Sequence, residues 1–174
     1  MVYMLANGTV DEGIETNHQL WDWAGVDGLQ LAQSLFGDAV RKIAPFQSLD
    51  TTLNGSPCSV LRLCEGNFRV AIAPTAAVEA IIRGRDGLRI WVKRCDTMGA
   101  IVLPESPGLT LLPQIATTKP IYRLDTLHPN CAAPARIDGM AVLVWRHSWS
   151  YQPIVELQVA QRHLTAVKAK LSTL

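Results

Sequence analysis

Leu29, Ala32, Phe36, Ala39, Val40 and Ile43 recur at three- and four-residue steps, the period that lines up apolar side chains on one face of a helix. Pro45 closes the pattern, and the spacing predicts a helix over residues 28–43. Asp27-Gly-Leu-Gln30 has the form of a capping box for it, with Asp27 accepting free amide protons and Gln30 reaching back. Ahead of it, residues 16–24 read as a shorter helix. The period then changes. Asn54-Gly-Ser-Pro57 marks a turn, and residues 58–63 and 68–73 alternate as two strands joined by Glu65-Gly66-Asn67, a hairpin connection. Residues 75–82 predict a short helix capped by Thr75, and residues 88–94 and 100–103 two further strands.

Six of the ten prolines fall between positions 104 and 134, which predicts an extended, irregular crossing segment with an edge strand at residues 121–124. Residues 140–149 resume a strong strand without a breaker. From Pro153 onward a helix is expected, with Pro153 in its first turn, Glu156 near the positive end of the dipole, and Arg162, His163, Lys168 and Lys170 toward the negative end. Leu157, Ala160, Leu164, Val167 and Leu171 form its apolar seam. The fold class predicted is α+β: a mainly antiparallel sheet flanked by an N-terminal helical segment and a C-terminal amphipathic helix.

Composition narrows this picture. At 174 residues the chain fits one domain, and 48% apolar against 18% charged residues exclude a disordered chain. The longest apolar runs, such as Ala141-Val-Leu-Val-Trp145, fall far short of the ~20 residues a membrane helix needs. The first residues lack the basic stretch and apolar core of a secretory signal, so a cytoplasmic protein without a membrane partner is expected. Charge is unevenly spread. Residues 1–40 hold six acidic and no Lys or Arg side chains, and all 16 basic residues follow. That asymmetry suggests an acidic leader or arm, residues 1–27, facing a single α+β domain, residues 28–174. Trp21 and Trp23 are the apolar anchors such an arm would carry to a basic face.

Cys58, Cys64, Cys95 and Cys131 lack the paired knuckle spacing of a structural zinc site and read as reduced thiols without metal. Cys131 with His128 and Asp125 has the residue types of a nucleophilic site, but Pro129 restricts their convergence, and no catalytic residue or cofactor is assigned. In Leu88-Arg-Ile-Trp-Val-Lys-Arg94, alternation sends Arg89, Trp91 and Lys93 to one face, with Arg83, Arg85 and Arg94 nearby. That composition suits a surface for an acidic protein partner, or a platform for single-stranded nucleic acid. Trp145, His147 and Trp149 share one face of the 140–149 strand, the pattern of a core layer or an interface centre. Few charges, five Trp and an amphipathic terminal helix together suggest a non-catalytic structural or adaptor subunit of a multi-subunit assembly, with homo- or hetero-oligomeric protein partners. The interface candidates are Trp21, Trp23, Arg85, Arg89, Trp91, Lys93, Trp145, His147, Trp149, Leu157, Leu164 and Leu171. Two alternatives stand beside this reading: a nucleic-acid-associated module using residues 83–94, and a small Cys/His-dependent enzyme or metal protein.

Overall fold

The computed structural model describes residues 18–74 and 87–173. The helix expected over 75–82, the side chain of Arg85 and the first 17 residues of the acidic leader therefore lie outside the described residues. Chain order begins with a strand, β1 (Gln19–Gly25), where a short helix was expected. Too few residues are present to nucleate a helix alone, whereas the alternation of Leu20 and Asp22 with Trp21 and Trp23 suits a strand buried on both faces. Its partners are distant in sequence: Trp21 lies opposite Val70 on one side and Arg94 on the other.

The amphipathic run that follows folds as α1 (Gly28–Phe36) and a 3-10 segment (Asp38–Lys42), interrupted at Gly37, whose φ of 79° an α-helix cannot hold. Asp27 precedes α1 without capping it. Its carboxylate instead accepts the Arg89 backbone amide at 2.7 Å and Arg89 Nε at 3.3 Å, and these contacts hold its pKa below the ordinary range. Next come β2 (Ser48–Leu53), β3 (Ser56–Cys64), β4 (Asn67–Ile72) and β5 (Ile90–Arg94). The expected β3–β4 hairpin forms, and the sheet is completed in the antiparallel order β2-β3-β4-β1-β5.

A second antiparallel sheet, where one had been expected, contains β6 (Met98–Pro104), β7 (Ala116–Thr118), β8 (Cys131–Ile137), β9 (Met140–Trp149) and β10 (Gln152–Ala160) in the order β6-β10-β9-β8-β7. Part of the proline-rich segment is helical rather than irregular, forming α2 (Glu105–Ile115). Pro107 sits in its first turn, where an amide has no intrahelical partner, and Pro113 in its last turn, where little ladder remains to lose. The edge strand is β7, not residues 121–124; Ile121 is exposed there while Leu124 is buried. The C-terminal helix is also shorter than expected. Residues 153–160 belong to β10, whose β-branched Ile154, Val155 and Val159 suit a strand, and helix starts only at α3 (Leu164–Leu171).

Helices pack on the outer faces of the two sheets, and a third apolar layer lies between them. α1 packs Leu31, Ala32 and Phe36 against Trp21, Trp23, Val60, Phe68 and Val70 on the outer face of the first sheet. Leu112 of α2 with Val167 and Leu171 of α3 cover Val144, Val155, Leu157 and Val159 on the outer face of the second. Leu20, Leu61, Ala71, Ala132 and Trp145 fill the layer between the sheets. Among the described residues no helix is long and apolar enough to cross a membrane.

Candidate functional site

Strand alternation sends Trp145, His147 and Trp149 of β9 and Ile154, Glu156 and Gln158 of β10 to the same face, toward the first sheet. From the facing strands come Asp22, Ser59 and Arg69. These polar side chains form a chain of hydrogen bonds across the gap. The guanidinium of Arg69 holds Asp22 bidentately, with Nε to Oδ1 at 2.6 Å and Nη2 to Oδ2 at 2.7 Å. Its Nη1 donates to Gln158 Oε1 at 2.7 Å, and Gln158 Nε2 donates to Glu156 Oε1 at 2.7 Å. Glu156 Oε2 lies 3.2 Å from His147 Nε2. His147 Nδ1 is 3.0 Å from Ser59 Oγ, which has a single proton and lies 2.8 Å from Asp50 Oδ1. Ser59 Oγ also lies 3.0 Å from the Ser148 carbonyl oxygen.

His18 completes the cluster. Its Nε2 is 2.9 Å from Glu156 Oε2 but out of line for a hydrogen bond, and its ring leans on Trp149 with centroids 4.6 Å apart. The other imidazole stacks on Trp145 at 3.9 Å, and Trp145 Nε1 donates to Ser48 Oγ at 2.9 Å. The side chains of His18, His147 and Glu156 have no exposure. Burial pushes the Glu156 carboxyl up, but the hydrogen bond to His147 and the coulombic effect of both imidazoles outweigh it and hold the pKa well below the ordinary range. Buried carboxylates persist only when paired in this way.

The remaining site candidates are dispersed. Trp21 and Trp23 lie in the subunit's own core, at 7% and 1% exposure, so neither offers a face to a partner from the folded body. Residues 19–25 of the expected arm are a central strand, and only residues 1–17 of that arm stay outside the described residues. Leu157 is buried on β10 instead of on a helix, and Leu164 and Leu171 pack α3 onto the second sheet. Arg89, Trp91 and Lys93 do come together at the surface. β5 is an edge strand among the described residues; Leu88, Ile90 and Val92 pack inward, and Trp91 is 55% exposed. Arg89 pairs with Asp27 and Arg94 with Asp96.

All four cysteines are free, and among the described residues no group of His, Cys, Asp and Glu is placed to hold a metal. Burial pushes the thiols of Cys58 and Cys95 up to about 12, with the charges of Asp50 and Asp22 adding to it, and burial also raises Cys131. Thiolate chemistry is thereby suppressed at three of the four. Sequence reading missed His18, Glu156, Gln158, Arg69 and Ser59 as one cluster. The available signal was the period-two placement of Glu156 and Gln158 among Val155, Leu157 and Val159, which marks polar side chains on one face of a strand.

No family model and no curated protein sequence matches the chain. The fold is similar to that of solved structures. One is the glycine cleavage system aminomethyltransferase T from Bartonella henselae, with a TM-score of 0.71 and 13% identity over 89% of this chain and 43% of that one. Another is a chain of the heterotetrameric sarcosine oxidase from Corynebacterium sp. U-96 in complex with pyrrole 2-carboxylate, with a TM-score of 0.64 and 13% identity over 91% of this chain and 80% of that one. The chain thus spans less than half the length of the aminomethyltransferase. At this identity the likeness establishes the fold.

Proposed function

We propose that this chain is a non-catalytic structural or adaptor subunit of a multi-subunit protein assembly, and that it meets a partner chain through the edge formed by β5. The observation that carries the reading is Trp91, 55% exposed on an edge strand with Arg89 and Lys93 exposed on either side. A large aromatic ringed by charges is the composition of a binding hot spot. Two of the three cations of this strand segment already have carboxylate partners, which suits a polar rim better than a phosphate platform. The sealing of His18, His147 and Glu156 from solvent fits a lock between two sheets better than a reacting centre. Heterotetrameric sarcosine oxidase, which includes a chain of this fold and comparable length, lends the assembly reading further support.

The test is the native mass of the tagged full chain in extract of its own cells, at low and high salt. A complex well above the 19.1 kDa of the subunit is expected, weakened by salt and weakened about 30-fold by Trp91→Ala. A lone subunit at both salt concentrations overturns the assembly reading. Tight binding of a single-stranded oligonucleotide with a steep salt slope would overturn it in favour of the nucleic-acid module.

A further inference from the structure

The two edge strands of the first sheet are finished differently. β2 is stitched to the start of β8: Gln47 bridges Cys131, and the Ser48 amide donates to the Asn130 carbonyl at 2.8 Å. At β5 the bonding groups alternate. The Cys95 amide donates to the Leu20 carbonyl at 2.8 Å, so Lys93, opposite Asp22, and Trp91, opposite Ala24, also turn their backbone groups toward β1. Ile90, Val92 and Arg94 therefore turn theirs outward, where no backbone partner meets them among the described residues.

The charges of this edge are largely balanced within the chain. Asp27 holds Arg89 and Asp96 holds Arg94. The carboxylate opposite Lys93 across the strand pair is Asp22, and Arg69 already binds both of its oxygens, at 2.6 and 2.7 Å. Lys93 thus stands in solvent two residues from Trp91, on the same face of an open strand. An edge lysine ordinarily blocks the addition of another strand. It does so only where the incoming strand brings nothing to meet it.

We propose that the partner at this edge is a second copy of this chain, joined β5 to β5 in antiparallel register about a two-fold axis at Val92. The inference rests on the reading that β5 meets a partner chain, and it names that partner. An axis at Val92 sets Val92 opposite itself, Ile90 opposite Arg94, and Trp91 opposite Lys93 of the second copy, which uses all five residues of the strand. The outward groups of Ile90, Val92 and Arg94 then exchange backbone hydrogen bonds. Trp91 and Lys93 fall at the non-bonded positions, where cross-strand side chains stand nearest. Each ammonium meets an indole face, once on either side of the axis, so the edge is complementary to itself in charge as well as in backbone. Moving the axis to Trp91 would set Arg89 against Lys93, like charges directly opposite, so that register is disfavoured. A contact built on one short strand is small beside the ~800 Å² per partner of a standard interface, and the dimer is accordingly weak and dependent on concentration.

The experiment reads the mass of the purified full chain by sedimentation between about 1 and 200 µM, the range in which a small interface titrates. The expected result is a mass that rises from 19.1 kDa toward twice that value. Dimerisation should weaken about 30-fold in Trp91→Ala and roughly 10-fold or more in Lys93→Glu, and persist in Lys93→Arg, which keeps a cation over the ring. Both side chains are exposed, so an unchanged thermal midpoint confirms that each variant is folded. A purified chain that stays single throughout, while the chain in extract runs in a complex, overturns self-pairing and leaves the assembly reading standing. A lone subunit in both settings overturns that reading and self-pairing with it. A dimer indifferent to Trp91→Ala and Lys93→Glu meets through another face, and one lost equally in Lys93→Arg lacks the pairing of ring and cation; either result overturns the proposal.

Discussion

Glu156 is the carboxylate on which the layer between the sheets turns, and Glu156→Gln tests that role with the smallest change of shape. In the wild type, Oε2 faces Nε2 of both His147 and His18, at 3.2 and 2.9 Å, while Oε1 accepts from Gln158 at 2.7 Å. An amide has one acceptor oxygen. If that oxygen stays with the imidazoles, the new NH2 group confronts the NH2 of Gln158; if the amide flips, it confronts the imidazole N–H groups. Either way a buried donor is left facing a donor, and Gln158 in turn positions Arg69 and Asp22. Removing one partner of a buried ion cluster costs roughly 3 to 5 kcal/mol, and a loss of that order is expected. Urea unfolding at pH 7, followed by tryptophan fluorescence, reads the difference as a shift in midpoint at constant slope. The same titration across pH checks the sign. Glu156 has a depressed pKa in the folded chain, so its contribution is fully present above the unfolded value near 4.5 and is lost as pH falls below it. The gap between wild type and variant should therefore narrow below about pH 4.5. A gap under about 0.5 kcal/mol at pH 7, or one that widens on acidification, would refute the account of the cluster.

One further substitution and one chemical treatment follow from the packing. Gly28 opens α1, where Ala ordinarily adds about 1 kcal/mol of stability, but a Cβ there would collide with the Gly66 carbonyl oxygen, so Gly28→Ala should lower the unfolding midpoint; a rise would show that the two backbones are not in contact. In the native chain at pH 8 a thiol reagent such as DTNB should modify exposed Cys64 first and leave Cys58 and Cys95 unmodified until urea unfolds the protein, because pKa values of about 12 leave them almost no thiolate. Rapid native labelling of all four thiols would contradict their burial.

Elements whose signals are local are legible in the order of the residues alone. Asn54-Gly55 marks a turn and the alternation on either side of Glu65-Gly66 a hairpin, each within a few residues, and the breaker-free run at 140–149 specifies β9. The 3.6-residue period located α1, with Gly37 deciding where it ends. The rest was set by partners distant along the chain. Residues 19–25 and 152–160 each carry enough apolar side chains to satisfy a short helix or a strand; they are strands because β4 and β5 in one case, and β6 and β9 in the other, supply backbone hydrogen bonds on both edges. Propensity over such short windows is weak beside that pairing. The same pairing fixed the chemistry. Glu156 suits the first turn of a helix as well as it suits a strand, and only the register that places it opposite Trp145 brings it to both histidines. Asp27 likewise has the type and position of a helix cap, yet Arg89, 62 residues away, holds its carboxylate with a backbone amide and a guanidinium that no local pattern could reveal.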